Sequence, residues 1–495
     1  MDAVILPGDH LVAEVARLHA EQKRLGTIVA YEGAGTIVLR YFFYDVAAPD
    51  WVQLVVEVDP AQRYAPSLTG VTIAADWQER EIEDLFGIRF SGHPRLGDFV
   101  LHDDKWAEDL GLMRPQVPDE AIAQTRRHWA PLRVLQEDGA FVMPVGPIYS
   151  GDAESSLFLL ETVGEDVVRA VPRLFYKFRA IERLAQGRSM QDVLLLAERC
   201  NGTAAFGNGW AYCRAVESAL GVRVPPEATA WRTFLAELER VRHHVGAIRA
   251  ICDSTALGVA AAQAAAYEER LLRVSEGLTG HRYLFGALCI GGISFTPERL
   301  DAERAYEMVR ALVDELQPFR ALLERTSSFL DRIEAVGVID TAQAQAFELV
   351  GPIARASGVG IDMRVAQPYG VYDTLTIDVP VEEEGDGFAR LRVLFREICA
   401  SVDLMAQSLR LLRGGAVQTQ VQPRDGAALG WTETPQGASL CWVALSPAGQ
   451  VTRFRISPPS FCNWHGFHIA TEDFAFQDLP IILATMGLSV AENDR

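Results

Sequence analysis

From about residue 176 to residue 336, Ala, Leu, Arg and Glu recur at a spacing near 3.6 with few breaks, most regularly over 227–253 and 257–278. That period gathers apolar side chains on one stripe of a helix, and a stripe must be buried against another, so the stretch predicts a helical bundle with one core. The first hundred residues follow a different rule. A short helical run over 11–25 precedes strand-like stretches over 26–31, 36–43 and 52–58, with Gly, Pro and Asp turns between them. Between about 105 and 144 the periodicity fades into mixed polar sequence with four prolines, which reads as a tether. Residues 145–175 are strand-like, a further helix is expected over 388–412, and alternation returns in 438–443 and 451–456. Those last strands are expected to fold back near 145–175 as a small sheet. The fold class is therefore α+β: a small N-terminal α+β domain over 1–110, a linker over 111–144, and a large mainly helical domain over 145–495 whose N- and C-terminal strands form a small sheet.

A chain of 495 residues with 49% hydrophobic side chains can bury two cores. Its 66 acidic against 46 basic residues give a formal charge of −20, which repels phosphate backbones and anionic headgroups and argues against nucleic acid as a partner. No basic run followed by an apolar core opens the sequence, and charges interrupt every apolar stretch before the roughly 20 residues that a bilayer requires. The expected location is the cytoplasm, with membrane contact only through partners. Seven cysteines stand at 200, 213, 252, 289, 399, 441 and 462 without a CxxC pair, as for buried thiols in a reduced compartment.

Three segments form one motif: Pro66-Ser67-Leu68-Thr69, then Ala75-Asp76-Trp77-Gln78-Glu79-Arg80-Glu81-Ile82-Glu83-Asp84-Leu85-Phe86-Gly87-Ile88, then Gly92-His93-Pro94. Trp77, Leu85 and Phe86 can anchor a helix that displays Glu79, Arg80, Glu81, Glu83 and Asp84, with His93 beyond it, and this suits a charged docking face for a partner. A solvated amphipathic helix is the plainer reading. The motif closely resembles the signature of the C component of complex I.

From Gly146 onward the landmarks are Gly146-Pro147, Tyr176 with Arg179 and Glu182, Glu198-Arg199, Ala215-Val216-Glu217, Gly291-Gly292-Ile293, the run from Gly351-Pro352 to Met363-Arg364, Pro368-Tyr369, Ser408-Leu409-Arg410, Ser457-Pro458-Pro459 and Asp494-Arg495. This portion resembles the D component of complex I and the large subunits of membrane-bound nickel-iron hydrogenases. A C-like part followed by a D-like part in one polypeptide is the arrangement of the hydrogenase-4 and formate hydrogenlyase large subunits.

The resemblance implies a nickel-iron centre held by two CxxC pairs, because that metal pair requires soft sulfur ligands. Aligning Glu198-Arg199 and Ala211-Tyr212 without gaps puts Asn201 and Ala204 at the first pair, and Asn208 where a histidine usually follows. Asp478, Pro480, Gly487-Leu488 and Asp494-Arg495 place Ser489 and Glu492 at the second pair. Cys200 is one position out of register, which on a helix is a turn of about 100°. These replacements predict no metal and no cofactor bound by this chain, and no hydrogen activation by it. The positions of the usual quinone-headgroup donors hold Ile148-Tyr149-Ser150-Gly151 and Met190, where Tyr149 offers a phenol or simple packing.

A charged frame remains. Arg179, Glu182 and Arg183 stand at i, i+3 and i+4, Arg199 precedes the first vacated pair, and Arg355, Asp362 and Arg364 come from a glycine-rich segment. They read either as ion pairs tying helices to a loop, or as a proton relay or polar pocket. Adjacent His243 and His244 diverge by about 100° on a helix, as for one packed and one solvated ring.

By resemblance the partners are an iron-sulfur small subunit with a [4Fe-4S] cluster, a ferredoxin-like subunit and antiporter-like membrane subunits, on the cytoplasmic face of the inner membrane. The leading reading is a peripheral-arm subunit of a membrane-associated oxidoreductase complex with a degenerate nickel-iron site, electron transfer being coupled to ion translocation. The alternatives are a non-catalytic coupling or scaffold module of such a complex, and a quinone-reducing subunit with a rebuilt pocket near Tyr149 or Met190.

Overall fold

The computed structural model describes residues 3–33, 35–106, 111–114, 139–148 and 154–495. At the N-terminus, β1 (Ala3–Leu6), α1 (Leu11–Ala20), β2 (Lys23–Glu32), β3 (Ile37–Asp45) and β4 (Trp51–Val58) build a sheet of order β1-β4-β3-β2, with β1 parallel to β4 and the other pairs antiparallel. The helix expected over 11–25 stops at Ala20. Gln22 takes a positive φ of 62°, and from Lys23 the backbone is already paired to β3. Short β5 (Tyr64–Pro66), α2 (Ala75–Phe86) and β6 (Arg89–Ser91) follow, α2 packing on β2. Two N–H groups of edge strand β2 are taken by side chains: Ile28 N donates to Gln78 Oε1 of α2 at 2.7 Å and Leu25 N to Glu348 Oε2 at 2.9 Å. An open edge is thereby closed with groups from two distant parts of the chain.

The strands β7 (Ala140–Val145), β8 (Leu157–Val163) and β9 (Asp166–Arg173) form an antiparallel meander, joined on its far side by β15 (Glu472–Ala475). That is the sheet uniting N- and C-terminal strands, formed through Glu472–Ala475 rather than through 438–456. The helical part runs through α3 (Ile181–Ala185), α4 (Met190–Glu198), α5 (Ala205–Leu220), α6 (Pro226–Ser254) and α7 (Gly258–Thr279). A small hairpin, β10 (Leu288–Cys289) with β11 (Gly292–Ile293), interrupts it before α8 (Arg299–Leu323) and α9 (Ser327–Ile333). Then come α10 (Thr341–Ala346), α11 (Gly351–Ala356), α12 (Met363–Ala366) and α13 (Gly387–Leu409), the last capped by Asp386 Oδ1 accepting from Ala389 N at 2.7 Å.

Strands β12 (Gly426–Thr434), β13 (Gly437–Leu445) and β14 (Val451–Ser457) make a separate antiparallel sheet, followed by α14 (Pro459–Asn463) and α15 (Leu479–Met486). Alternation along β13 explains its place: Cys441, Val443 and Leu445 face the helical core, while Ala438, Leu440 and Trp442 face Val29, Phe42 and Tyr44 of the N-terminal sheet. Both faces are covered. Gly430 permits the closest approach, since a Cβ there would lie 2.3 Å from Ala211 O and 2.4 Å from Ala215 N of α5.

The two largest apolar clusters do not divide by chain order. One belongs to the helices and the inner face of β12–β14; the other joins α1, the N-terminal sheet and α2 to Phe158, Ile353, Phe461, Trp464 and Ile482. Through the helical cluster runs α6, which carries Arg232, Glu237, Glu239, Arg240, Arg242 and His244 fully buried along its length.

Candidate site at the vacated ligand positions

Asn201 follows α4 and Glu492 follows α15, yet Asn201 Nδ2 donates to Glu492 Oε1 at 3.0 Å and to Gln436 Oε1 at 2.9 Å. Ser460 N donates to Glu492 Oε2 at 3.1 Å, Glu492 N to Ser489 Oγ at 3.2 Å, and Ser489 N to Ser460 Oγ at 3.1 Å. Ala204, at the end of the short turn that follows Asn201, is fully buried, and Asn208 Oδ1 accepts from Ser439 Oγ at 2.7 Å. Residues 291 apart thus meet in one hydrogen-bonded knot. Burial raises the Glu492 carboxyl above its ordinary value, against the donors on Ser460 and Asn201. Burial, with Glu492 adding to it, pushes the Cys200 thiol up to about 12.

Arg179 closes this knot from outside. The positive φ of 53° at Ala180 keeps Arg179 off α3, so the shared helix face expected for Arg179, Glu182 and Arg183 does not form. Its guanidinium donates instead to the carbonyls of Arg199 at 2.7 Å, Cys200 at 2.9 Å and Ala491 at 2.6 Å, and its own N–H to Asp494 O at 2.6 Å. Four carbonyls from both sides of the knot converge on one residue. In Arg179→Ala, amide exchange over 487–495 is expected to quicken about tenfold or more, the equivalent of losing one or two such bonds, with exchange elsewhere unchanged.

Glu182 lies among three arginines. It accepts from Arg453 Nη1 at 2.8 Å, Arg455 Nη1 at 3.3 Å and Ile456 N at 3.3 Å, with Arg495 Nε at 3.7 Å. Burial pushes its carboxyl up, but Arg453, Arg455 and Arg495 outweigh burial and hold it below the usual carboxylate value. Glu81 shares the cluster, accepting from Arg455 and from Arg495 Nη2 at 2.8 Å. Arg183 turns aside to Gln186 Oε1 at 2.8 Å, and Arg199 is half exposed, 5.1 Å over the Phe285 ring. Arg199 is not part of the frame.

Arg355, Asp362 and Arg364 do come together, in a fully buried network whose other members the sequence did not indicate. Arg355 donates to Glu397 at 2.7 Å and Glu433 at 2.9 Å, with Asp362 at 3.5 Å; Arg364 donates to Asp362 at 2.7 Å and Glu237 at 3.0 Å. His244 meets Glu397 at 2.8 Å, and Tyr372 donates to Glu237. Burial raises Glu397, but Arg355 and His244 bring it well below its ordinary value; burial leaves Glu433 at about 7. His244 is the packed ring of the histidine pair, and His243 keeps partial exposure.

The signature helix turns its charges inward, contrary to the external docking face expected of it. Glu79 accepts from Ser67 Oγ at 2.6 Å and Leu68 N at 2.7 Å, Glu83 from Gly97 N at 2.7 Å, and Asp84 from Leu101 N at 2.9 Å. Arg80 donates to Gly97 O at 3.1 Å, and His93 Nε2 lies 3.2 Å from Asp76 Oδ1. Trp77 packs on Phe99 and Phe461, and Phe86 is buried beneath Arg453. The carboxylates fasten neighbouring loops, because a buried loop N–H needs an acceptor. Burial pushes Glu79 and Asp84 up to about 7.

Tyr149 lies outside the described residues. Met190 is buried at the start of α4, its carbonyl accepting from Tyr212 Oη at 2.8 Å. Among the described residues, no three His, Cys, Asp or Glu side chains converge as a metal site.

The family model of the respiratory-chain NADH dehydrogenase 49 Kd subunit matches residues 257–424 and 415–495, and that of the 30 Kd subunit matches residues 5–120. The chain is 29% identical over 454 residues to formate hydrogenlyase subunit 5 of Escherichia coli (strain K12), covering 90% of this chain and 79% of that one. It is 28% identical over 468 residues to the fused C/D polypeptide of the NADH-quinone oxidoreductase of Bdellovibrio bacteriovorus, covering 85% and 81%. The chain is a fused C/D-type large subunit of the complex I and membrane-bound hydrogenase family.

For this fused large subunit the structural likeness agrees. A chain from the structure of the membrane-bound sulfane sulfur reductase, an archaeal respiratory membrane complex, superposes with a TM-score of 0.68 at 26% identity, covering 72% of this chain and 99% of that one. The family's nickel-iron centre can be tested against the residues present. An amide, a methyl, a hydroxyl and a carboxylate occupy the four aligned positions, and the amide and carboxylate already bond to each other. That donor set does not fit a metal pair held by four thiolates.

Proposed function

We propose that this fused large subunit serves in the peripheral arm of a membrane-associated oxidoreductase complex that couples electron transfer to ion translocation and carries no nickel-iron centre. The bond between Asn201 and Glu492 carries the reading: the two aligned ligand sites are in contact, but as hydrogen-bond partners. Electrons then pass through a partner small subunit bearing a [4Fe-4S] cluster, with a ferredoxin-like subunit and antiporter-like membrane proteins in the same assembly. Relatives named as hydrogenase and NADH-quinone oxidoreductase subunits support this setting. No helix among the described residues is long and apolar enough to cross a membrane, in keeping with attachment through partners at the cytoplasmic face of the inner membrane.

The test is recovery of the tagged chain from washed native membranes in mild detergent. The expected result is co-purification with an iron-sulfur protein whose reduced cluster gives an electron paramagnetic resonance signal. Recovery of the chain alone, with all of it in the membrane-free fraction, would overturn the proposal.

A further inference from the structure

Between α2 and the β7–β9 meander lies a cavity of about 290 Å³, with Trp77, Phe99, Leu159, Val171 and Phe175 among its walls. Arginines also reach it, and all but one have a carboxylate. Arg169 pairs with Glu161 at 2.6 Å, Arg173 with Asp98 and Asp104 at 2.7 Å each, and Arg95 with Asp76 at 3.3 Å. Arg80 makes no ion pair within 4.0 Å among the described residues; Asp76 is engaged with His465 at 3.0 Å and Asp84 with the Leu101 N–H. Its Nη2 donates to the Gly97 and Asp98 carbonyls at 3.1 and 3.3 Å, and its guanidinium lies 4.4 Å from the centre of the Phe99 ring. Its Nε is buried without an acceptor.

A half-buried guanidinium whose hydrogen bonds go to backbone carbonyls, with Asp76, Asp84 and Asp98 near it but none in ion-pair contact, has room for a directly bound anion. Besides the ion-paired arginines and their carboxylates, the walls are aromatic and aliphatic, Trp77, Phe99, Leu159 and Phe175 among them, which suits an apolar body better than an inorganic anion. Small-molecule sites span about 300–1,000 Å³, so this cavity admits one ring with its carboxylate and not a dinucleotide. We propose that the cavity binds a small aromatic carboxylate, with Arg80 taking the carboxylate and Trp77, Phe99 and Phe175 enclosing the ring. The site is independent of the vacated metal position and does not rest on the functional reading above.

Benzoate is the probe, titrated calorimetrically into the purified full chain at constant ionic strength. Saturable binding of one equivalent is expected, unaffected by equimolar inorganic phosphate. It should weaken at least tenfold in Arg80→Gln. Val171→Phe narrows the cavity from the sheet side while keeping the Arg80 side chain, and should abolish binding while leaving the melting temperature near that of the parent. If Arg80→Gln fails to fold, Val171→Phe decides. Absence of benzoate binding, binding undiminished in Val171→Phe, or displacement by equimolar phosphate would each overturn the proposal.

Discussion

Replacing Arg355 by alanine is expected to prevent accumulation of the folded chain. Arg355 is fully buried, and its guanidinium is held between Glu397, Glu433 and Asp362. Removing it leaves Glu433 buried with no other ion pair among the described residues and leaves Glu397 with only His244 and Arg240, and breaking a buried pair in this way costs about 3–5 kcal/mol. That is a large share of the roughly 5–15 kcal/mol by which folded domains are stable. Lysine retains the charge but loses the planar fork that reaches two carboxylates at once, so Arg355→Lys should recover only part of the yield. Soluble yield and the urea midpoint of whatever folds are the measurements. A variant with the parental midpoint would mean that the network contributes little.

Glu182→Ala should come next in severity, for a related reason with the sign of the charge reversed. Arg455 and Arg495 keep Glu81, but Arg453 has no other carboxylate within 4.0 Å among the described residues and would be left buried and unpaired. A loss of about 3–5 kcal/mol is expected. The same geometry fixes a pH dependence. Burial raises the Glu182 carboxyl while Arg453, Arg455 and Arg495 lower it further, so in the folded chain it ionises below the 4.5 of a free glutamate. On acidification the unfolded chain takes up this proton first. The stabilisation is therefore complete above about pH 4.5 and is lost as the pH falls toward the folded value. Unfolding midpoints at pH 7 and pH 4 should differ less in Glu182→Ala than in the parent, and an equal difference would show that Glu182 is not held ionised.

That Asn201 and Glu492 belong together can be read from the sequence because it rests on spacing. Counting from Glu198-Arg199 and from Asp494-Arg495 marks Asn201 and Glu492, and these are in contact. The partners of Arg355 cannot be read in that way. Glu397 and Glu433 come from α13 and β12, and a lone glutamate in an amphipathic helix or an exposed-looking turn carries no mark of what lies opposite. Helical spacing misplaces Arg179 because nothing about Ala180 announces a left-handed backbone, whereas a glycine would have. On α2 the run of acids reads as an external docking face, since the loop N–H groups it satisfies belong to residues 68, 97 and 101. Alternation locates β13 and β14 correctly, but their neighbour is the N-terminal sheet, and alternation identifies a buried face without naming what covers it.

The absence of a nickel-iron centre is tested most directly by counting metal. The complex would be isolated from cells supplied with nickel and iron and capable of loading nickel-iron enzymes, then assayed for nickel by mass spectrometry and for hydrogen uptake with an artificial acceptor. The expected result is iron from the partner's cluster, nickel far below one per chain and no hydrogen uptake; one nickel per chain together with hydrogen uptake would contradict the claim.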